Sequence, residues 1–380
     1  YPSVWESCRE LLETYTMETT QSPILNNPYE EPRWHYDADL DGNLDYGHVL
    51  KGRRPYSATI GISPNTPNKA LFSHDEVEEA DPNASFINAL RTEVKQWREK
   101  NYPHVTRVTR LLLNFWFNNP ERQDYKKLFF CQREAVETAV YLNEVAAFDP
   151  NIGRDLLRQL DERCESVSQQ YEYVLPRTAF KMATGTGKTV VMAMLILYNY
   201  LNKKEAVADT RFADHFLLVA PGITIRDRLG VLFIDEQAAR HNMYADSVTD
   251  YYHKRDLIPP QFEQQLGGLN AAITIINYHQ FEPKVYMGKK SSPLDGKMTY
   301  RSGEGMVRQN DKEEYTSVIS RILHRMPKSK RILVINDEAH HCYLPRTNEG
   351  KTSKEEQAEN ENAMVWYEGL RRLKLLGYKL

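Results

Sequence analysis

The sequence predicts an α/β fold: a parallel sheet with helices on both faces, preceded by a smaller α+β N-terminal domain. Three observations lead there. From about residue 125, short apolar or β-branched runs alternate with stretches of helical periodicity, as strands joined by crossover helices do. A glycine-rich turn, Ala183-Thr-Gly-Thr-Gly-Lys-Thr189, lies between a short run and a long apolar helix pattern. An acidic string, Asp337-Glu-Ala-His340, ends the run Arg331-Ile-Leu-Val-Ile-Asn336.

Residues 1–124 form the first domain. Between 20 and 70 the chain is rich in Pro, Asn, Asp and Gly with short Tyr- and Val-containing runs such as Tyr56 to Ile62, which predicts turns and short strands. Phe86, Leu90, Val94 and Trp97 recur every three or four residues, which predicts a helix over 85–118, broken at Pro103 and resumed through Leu111 to Phe117. The second domain, 125–380, opens on a helical stretch, Gln132 to Val145, followed by an irregular acidic segment. Strands are expected at Arg177–Ala183, His215–Ala220, Ala272–Asn277 and Arg331–Asn336, with helices at Lys188–Asn199 and around Met364–Leu376. Residues 284–312 show little periodicity and are read as a loop or insertion, and 345–362 as a polar, mobile segment.

Composition excludes several classes. The longest apolar run, Val190 to Tyr198, is far short of the roughly 18 residues of a membrane helix. No secretory signal pattern opens the chain, which begins at Tyr1 rather than Met, so a trimmed start and a cytoplasmic location are expected. Cys8, Cys131, Cys164 and Cys342 form no CxxC pair, which argues against a zinc module or disulfide framework. A net charge of −3 argues against nucleic-acid binding through global positive charge, but residues 284–330 hold 11 Lys/Arg against 5 Asp/Glu.

The glycine turn is built for phosphate. Gly185 and Gly187 let successive backbone N–H groups point inward without Cβ clashes, and the helix that follows adds its positive end. Thr184 and Thr186 complete the turn, Lys188 should reach the β and γ oxygens of a nucleoside triphosphate, and Thr189 should place its hydroxyl on Mg²⁺. Met182 stands where the strict pattern asks for glycine. The other reading is a surface turn with a solvated lysine. At the acidic string, Asp337 sits at the carboxyl end of a buried strand, where ligands of open parallel sheets bind. Asp337 is assigned to Mg²⁺, and Glu338 to orienting or deprotonating the attacking water. His340 completes the catalytic group as a link to nucleic acid or a second domain. An acidic helix N-cap would look similar when taken alone.

These residues resemble superfamily 2 helicases of the DEAD/DEAH type, and within them the Res subunits of type III restriction systems. The resemblance is carried by Leu128-Phe-Phe-Cys-Gln-Arg-Glu-Ala135, Phe180 to Thr189, Val219-Ala-Pro-Gly-Ile-Thr-Ile-Arg226, Ile275-Ile-Asn-Tyr-His279 and Asn336 to Tyr343, with Pro28–Trp34 and Gly52–Pro55 at the N-terminal side. It implies a RecA-like P-loop lobe that uses ATP and Mg²⁺. By the same resemblance Gln132 reads adenine with Phe130 stacked on or walling it, and Pro221, Gly222, Thr224 and then Asn277, Tyr278, His279 contact a nucleic-acid backbone. The other reading of Gln132 is an ordinary exposed helix-start residue, and that of Asn277–His279 a plain strand end. The implied partners are DNA and a methyltransferase subunit, with no membrane. DNA is not separable from RNA, because backbone contacts serve both polymers. A non-catalytic recognition or assembly module that retains a nucleotide pocket is the reading from another class. No second lobe or nuclease pattern follows residue 340, so the chain is expected to be the N-terminal part of a longer motor, weakly active when isolated.

Two further features stand outside these motifs. Asp37-Ala-Asp-Leu-Asp-Gly42 copies half of a calcium loop, but position twelve is His48 and no helix leads in, so a hairpin turn is the expectation. Arg53, Arg54, Arg91, Lys95, Arg98, Lys100, Arg107 and Arg110 would form either a duplex-contacting face or ordinary solvated helix faces.

Overall fold

The computed structural model describes residues 24–38, 43–56, 82–168, 177–235, 249–284, 298–301, 305–308, 313–323, 330–339 and 354–380. Its helices in chain order are α1 (Pro82–Glu99), α2 (Arg107–Phe117), α3 (Phe130–Val140), α4 (Ile152–Ser168), α5 (Lys188–Glu205), α6 (Ile223–Arg228), α7 (Tyr251–Lys254), α8 (Leu269–Ala272), α9 (Tyr315–Ile322) and α10 (Lys354–Leu375). Its strands are β1 (Trp34–Ala38), β2 (Leu44–Lys51), β3 (His215–Ala220), β4 (Ile273–Asn277), β5 (Met298–Arg301), β6 (Gly305–Arg308) and β7 (Ile332–Asn336). The chain divides into two compact units. The first holds residues up to Val105, Asn119–Arg163 and Met182–Thr186; the second holds Thr106–Asn118, Cys164–Lys181 and Gly187–Leu380.

In the first unit, α1 turns its apolar stripe inward, burying Phe86, Leu90, Val94 and Trp97 as their spacing predicts. The Trp97 indole meets the Tyr102 and Tyr141 rings edge-on, at 4.9 and 5.7 Å. A buried charge organises this packing. Glu137 on α3 is fully buried and accepts hydrogen bonds from Arg98 (2.7 Å), Tyr102 Oη (2.6 Å) and Arg133 (2.7 Å). A carboxylate taken out of water persists only when it is paired in this way. After Pro103 the chain does not continue α1: Asn101, Tyr102 and His104 all take positive φ, which ends the helix sharply. β1 and β2 form an antiparallel hairpin with an irregularity between Tyr36 and Asp37.

The second unit is built on a parallel sheet of order β4-β3-β7. The run His215-Phe-Leu-Leu-Val-Ala220 is buried throughout, as a strand flanked on both edges requires. The register sets Ala220 opposite Asn277 and Val219 opposite Asn336, so all three strands finish together. Helix α5 is buried from Val190 to Asn202. Its Asn199 Oδ1 accepts from Ala213 N, and the Tyr198 ring meets Phe212 edge-on at 5.5 Å, which ties the helix to the approach to β3. Helix α2 is capped by Thr106, whose side chain accepts from Thr109 N, and its Trp116 donates to the Leu257 carbonyl at 2.7 Å. A cluster of Leu217, Val219, Ile276, Phe281, Val318, Ile319, Ile322, Trp366, Leu370 and Leu373 fills the space between the sheet, α9 and α10.

Four expectations are corrected. Arg177–Ala183 is not a strand; Arg177 to Lys181 are exposed and join no ladder. The run carries Arg177 and Lys181 and only two large apolar residues, Phe180 and Met182, too little for the continuous burial that β3 achieves. The acidic segment after Val145 is not irregular throughout, because Ile152–Ser168 is helix α4, with Arg158 paired to Asp155 and Glu162 along one face. Within 284–312 the segments β5 and β6 pair as an antiparallel hairpin. Residues 354–362 belong to α10, whose apolar positions Ala363, Trp366, Leu370 and Leu373 anchor a charged first half. The pairing of Asp37 with Asp45 and Ala38 with Leu44 makes the flanks of the Asp-rich loop hairpin strands rather than helices. His48 Nδ1 lies 2.6 Å from the Asp45 carboxylate. Residues 39–42 of that loop, like Tyr56–Ile62 beyond Tyr56, lie outside the described residues.

Candidate active site

The carboxyl ends of β3, β4 and β7 stand side by side, and each runs straight into a segment singled out in the sequence. Pro221 and Gly222 follow β3, Tyr278 and His279 follow β4, and Asp337 and Glu338 follow β7. Asp337 N donates to Val219 O at 3.0 Å, which carries the ladder one residue past the strand and fixes Asp337 at the sheet edge. Lys188, the first residue of α5, reaches the same edge: its Nζ lies 3.0 Å from Glu338 Oε1, with both side chains about one-third exposed.

The electrostatics of this edge favour a cation. Burial raises the Asp337 carboxyl above the ordinary carboxylate range; the neighbouring Glu338 charge raises it further, and Lys188 works against both. A divalent ion beside Asp337 would relieve that strain, and oxygen ligands suit Mg²⁺. Glu338 has φ +53°, in the left-handed region that non-glycine residues seldom adopt. Such conformations concentrate at functional sites because surrounding structure must hold them. Thr189, one residue into α5, is half-buried.

The first unit carries the other part of the predicted set. Gln132, buried at the start of α3, is engaged at both ends of its amide: its Oε1 accepts from Phe129 N at 2.9 Å and its Nε2 donates to Thr186 O at 2.9 Å. Thr186 Oγ1 in turn donates to Ala183 O at 2.6 Å, and Gly185 holds φ +82°. The turn of Thr184, Gly185 and Thr186 is thereby braced from within, and Thr184 and Gly185 face solvent. Gly187, with φ +79°, then caps α5. Both positive-φ positions require glycine. Phe130 is buried, with the Arg98 and Arg53 guanidinium carbons 5.2 and 5.7 Å from its ring centre. Phe129, rather than Phe130, meets an aromatic neighbour, Tyr29, at 5.4 Å.

Of the predicted nucleic-acid contacts, Thr224 is exposed and Pro221 and Gly222 are half-buried at the start of α6. His279 is exposed and lies 2.9 Å from Glu282. Tyr278 is buried, and Asn277 is buried with an Oδ1 that has no hydrogen-bond partner. His340, His341 and Cys342 lie outside the described residues. The basic series is largely engaged internally. Arg53 pairs with Glu134, Arg54 donates to Tyr36 O, Lys95 and Arg98 pair with Glu31, and Arg107 pairs with Glu205. Sequence reasoning missed Asn336 and Trp366, which touch at this edge: Trp366 Nε1 donates to Asn336 Oδ1 at 3.2 Å. The helical spacing of Trp366 with Leu370 and Leu373 signals core, but nothing in it names the partner.

A scan against protein families matches residues 126–362 to the type III restriction enzyme, res subunit. The chain belongs to the type III restriction Res-subunit family. The family is one of the DEAD/DEAH-box superfamily 2, so the match covers a helicase-like ATP-binding lobe. It takes in the glycine turn, the three strand ends and the acidic string. No curated protein and no solved structure matches the chain. Among the described residues no helix is long and apolar enough to cross a membrane, and no group of three or more His, Cys, Asp or Glu side chains is gathered that could hold a metal ion.

Proposed function

We propose that this chain is the ATP-binding lobe of an ATP-dependent DNA helicase or translocase, the restriction subunit of a type III-like restriction or phage-defence system. The observation that carries the reading is the meeting of Lys188 with Glu338, beside Asp337, at the shared carboxyl edge of β3, β4 and β7.

Lys188 is a donor with two possible acceptors. Without substrate it neutralises Glu338; a triphosphate offers it denser negative charge. Transfer of the ammonium to the phosphate oxygens leaves the Glu338 carboxylate free to orient the attacking water and take its proton. Thr184 to Gly187 supply backbone N–H groups to the phosphates, and the start of α5 adds its positive end. Thr189 and Asp337 are the residues that would hold Mg²⁺, which supplies charge neutralisation at the β and γ oxygens. Gln132 braces the loop through Thr186 O, so any reading of adenine by it requires that brace to be exchanged or shared. Pro221, Gly222, Thr224 and His279 are the accessible groups at the edge for a nucleic-acid backbone, with His340 as the proposed link to it.

The test is nucleic-acid-stimulated ATP hydrolysis by the full-length protein. Lys188→Ala and Glu338→Gln should each lower the rate by at least about 100-fold, the scale at which removal of a catalytic group shows. Stimulation is compared for duplex DNA, single-stranded DNA and RNA. Stimulation by RNA alone overturns the DNA assignment. Unchanged ATPase in both variants overturns the enzymatic reading in favour of a recognition or assembly module.

A further inference from the structure

The two edges of this site, the turn after β4 and the end of β7, share one side chain. Trp366 on α10 is fully buried. Its ring lies flat on Tyr278, with centroids 5.5 Å apart and planes within 1° of parallel. Its Nε1 donates to Asn336 Oδ1 at 3.2 Å, one residue before Asp337. Tyr278 is itself 4.0 Å, ring to ring, from the exposed His279. Gly369, one turn further along α10, lets the helix approach the Phe281 ring so closely that a Cβ there would sit 2.3 Å from it. The turn Tyr278–Phe281 and the strand end Asn336–Glu338 are therefore fastened to the same face of one helix.

We infer that Trp366 is a positioning residue that links occupancy of the turn after β4 to the placement of Asp337 and Glu338. The inference rests on the proposed function, since it takes the turn as the nucleic-acid side and the strand end as the nucleotide side. The physical argument is directional. A buried indole can be a purely apolar filler, but its N–H then still needs an acceptor. Here the acceptor belongs to the residue that precedes the carboxylate proposed for Mg²⁺, while the ring lies parallel to that of the residue beside His279. A shift of Tyr278 by a bound backbone moves the ring it is stacked on, and the hydrogen bond passes that shift to Asn336. Packing with no give between ring and ring transmits small displacements that a looser contact would absorb.

The experiment measures binding linkage, which a filler would not carry. Affinity for a fluorescein-labelled DNA oligonucleotide is determined with the nucleotide site empty and with it saturated by ADP–beryllium fluoride and Mg²⁺. Linked sites typically differ by about 5-fold or more between such states. Trp366→Phe keeps an aromatic ring on Tyr278 and removes only the N–H; Asn336→Ala removes the same hydrogen bond from the strand side. In both variants the affinity ratio should fall toward one. Each binary affinity should stay within about twofold, while the thermal midpoint should fall in both variants, because Asn336→Ala leaves the buried indole N–H without its acceptor and Trp366→Phe puts a smaller ring in a buried position. The double variant should be no worse than either single one, because one hydrogen bond is at stake. A ratio that persists in both variants overturns the proposal and leaves Trp366 as core. If Trp366→Phe alone proves unstable, the Asn336→Ala ratio decides. A parent protein that binds both ligands with no linkage also overturns the proposal while sparing the functional reading; a parent that binds neither sinks the functional reading itself, and the proposal with it.

Discussion

Replacing Gly369 by alanine sets two effects of opposite sign against each other. In a free helix, alanine is more favourable than glycine by about 1 kcal/mol, because glycine loses more backbone entropy on folding. The local environment opposes this. An alanine Cβ would stand 2.3 Å from Phe281 Cγ and 2.6 Å from both Cδ atoms, where carbon atoms rest at about 3.5–4.0 Å. Relief demands that the ring retreat by about 1 Å, judged from that resting distance. Phe281 is fully buried, and Cγ is the ring atom bonded to Cβ, so a flip about the Cβ–Cγ bond leaves it in place. Overpacking of this kind costs about 1–3 kcal/mol, and the immovable stem puts this case near the upper end. The expected net result is a loss of about 1–2 kcal/mol. Urea unfolding followed by tryptophan fluorescence reads it as a lower midpoint at unchanged slope. Phe281→Leu in the same chain should make the alanine better tolerated, with non-additivity of about 1 kcal/mol. A Gly369→Ala protein that is stabilised by the full helix-propensity gain would refute the close approach of α10 to the turn after β4.

Three other outcomes follow from the same geometry. Glu137→Ala leaves Arg98 and Arg133 facing each other in a buried site and should cost about 3–5 kcal/mol, seen as a fall in the denaturation midpoint. His253 lies between Asp250 (2.9 Å) and Glu263 (2.7 Å), and the bond to Asp250 foremost raises its pKa to about 9. Its folded value lies above the unfolded 6.5, so its stabilisation is complete below pH 6.5 and is lost as pH rises through 9. Thermal midpoints compared at pH 6.5 and 9.5 should fall more in the parent protein than in His253→Gln. Glu338→Gln removes the like charge that helps to raise the Asp337 pKa, while burial remains. The acid limb of Mg²⁺-dependent nucleotide binding should therefore move to lower pH in that variant without reaching the ordinary carboxylate position, measured by titration with a fluorescent ATP analogue.

Much of the site was legible because it is written in local patterns. The glycines at 185 and 187 stand where the backbone takes φ +82° and +79°, and only short-range sterics are needed to foresee that. The strands His215–Ala220, Ile273–Asn277 and Ile332–Asn336 appear within a residue of their apolar runs, because a strand buried on both faces must be continuously apolar. Local pattern failed where the signal was weak or indirect. Arg177–Ala183 imitates a strand without the apolar content to hold one, and the charge-rich start of α10 hides a helix that is secured by apolar residues further along.

The sequence by itself determined which residue types could grip a phosphate and bind a metal ion, and on which elements they ride, since these depend on neighbours within a turn or a strand. Only the tertiary structure decided their company. It brought Lys188 to Glu338 across 150 residues of chain, aligned three strand ends through ladder register, and set one indole between Tyr278 and Asn336. Those contacts are chosen by the packing of whole elements against each other, in which a side chain's partner depends on every element's position at once and leaves no periodic trace along the chain.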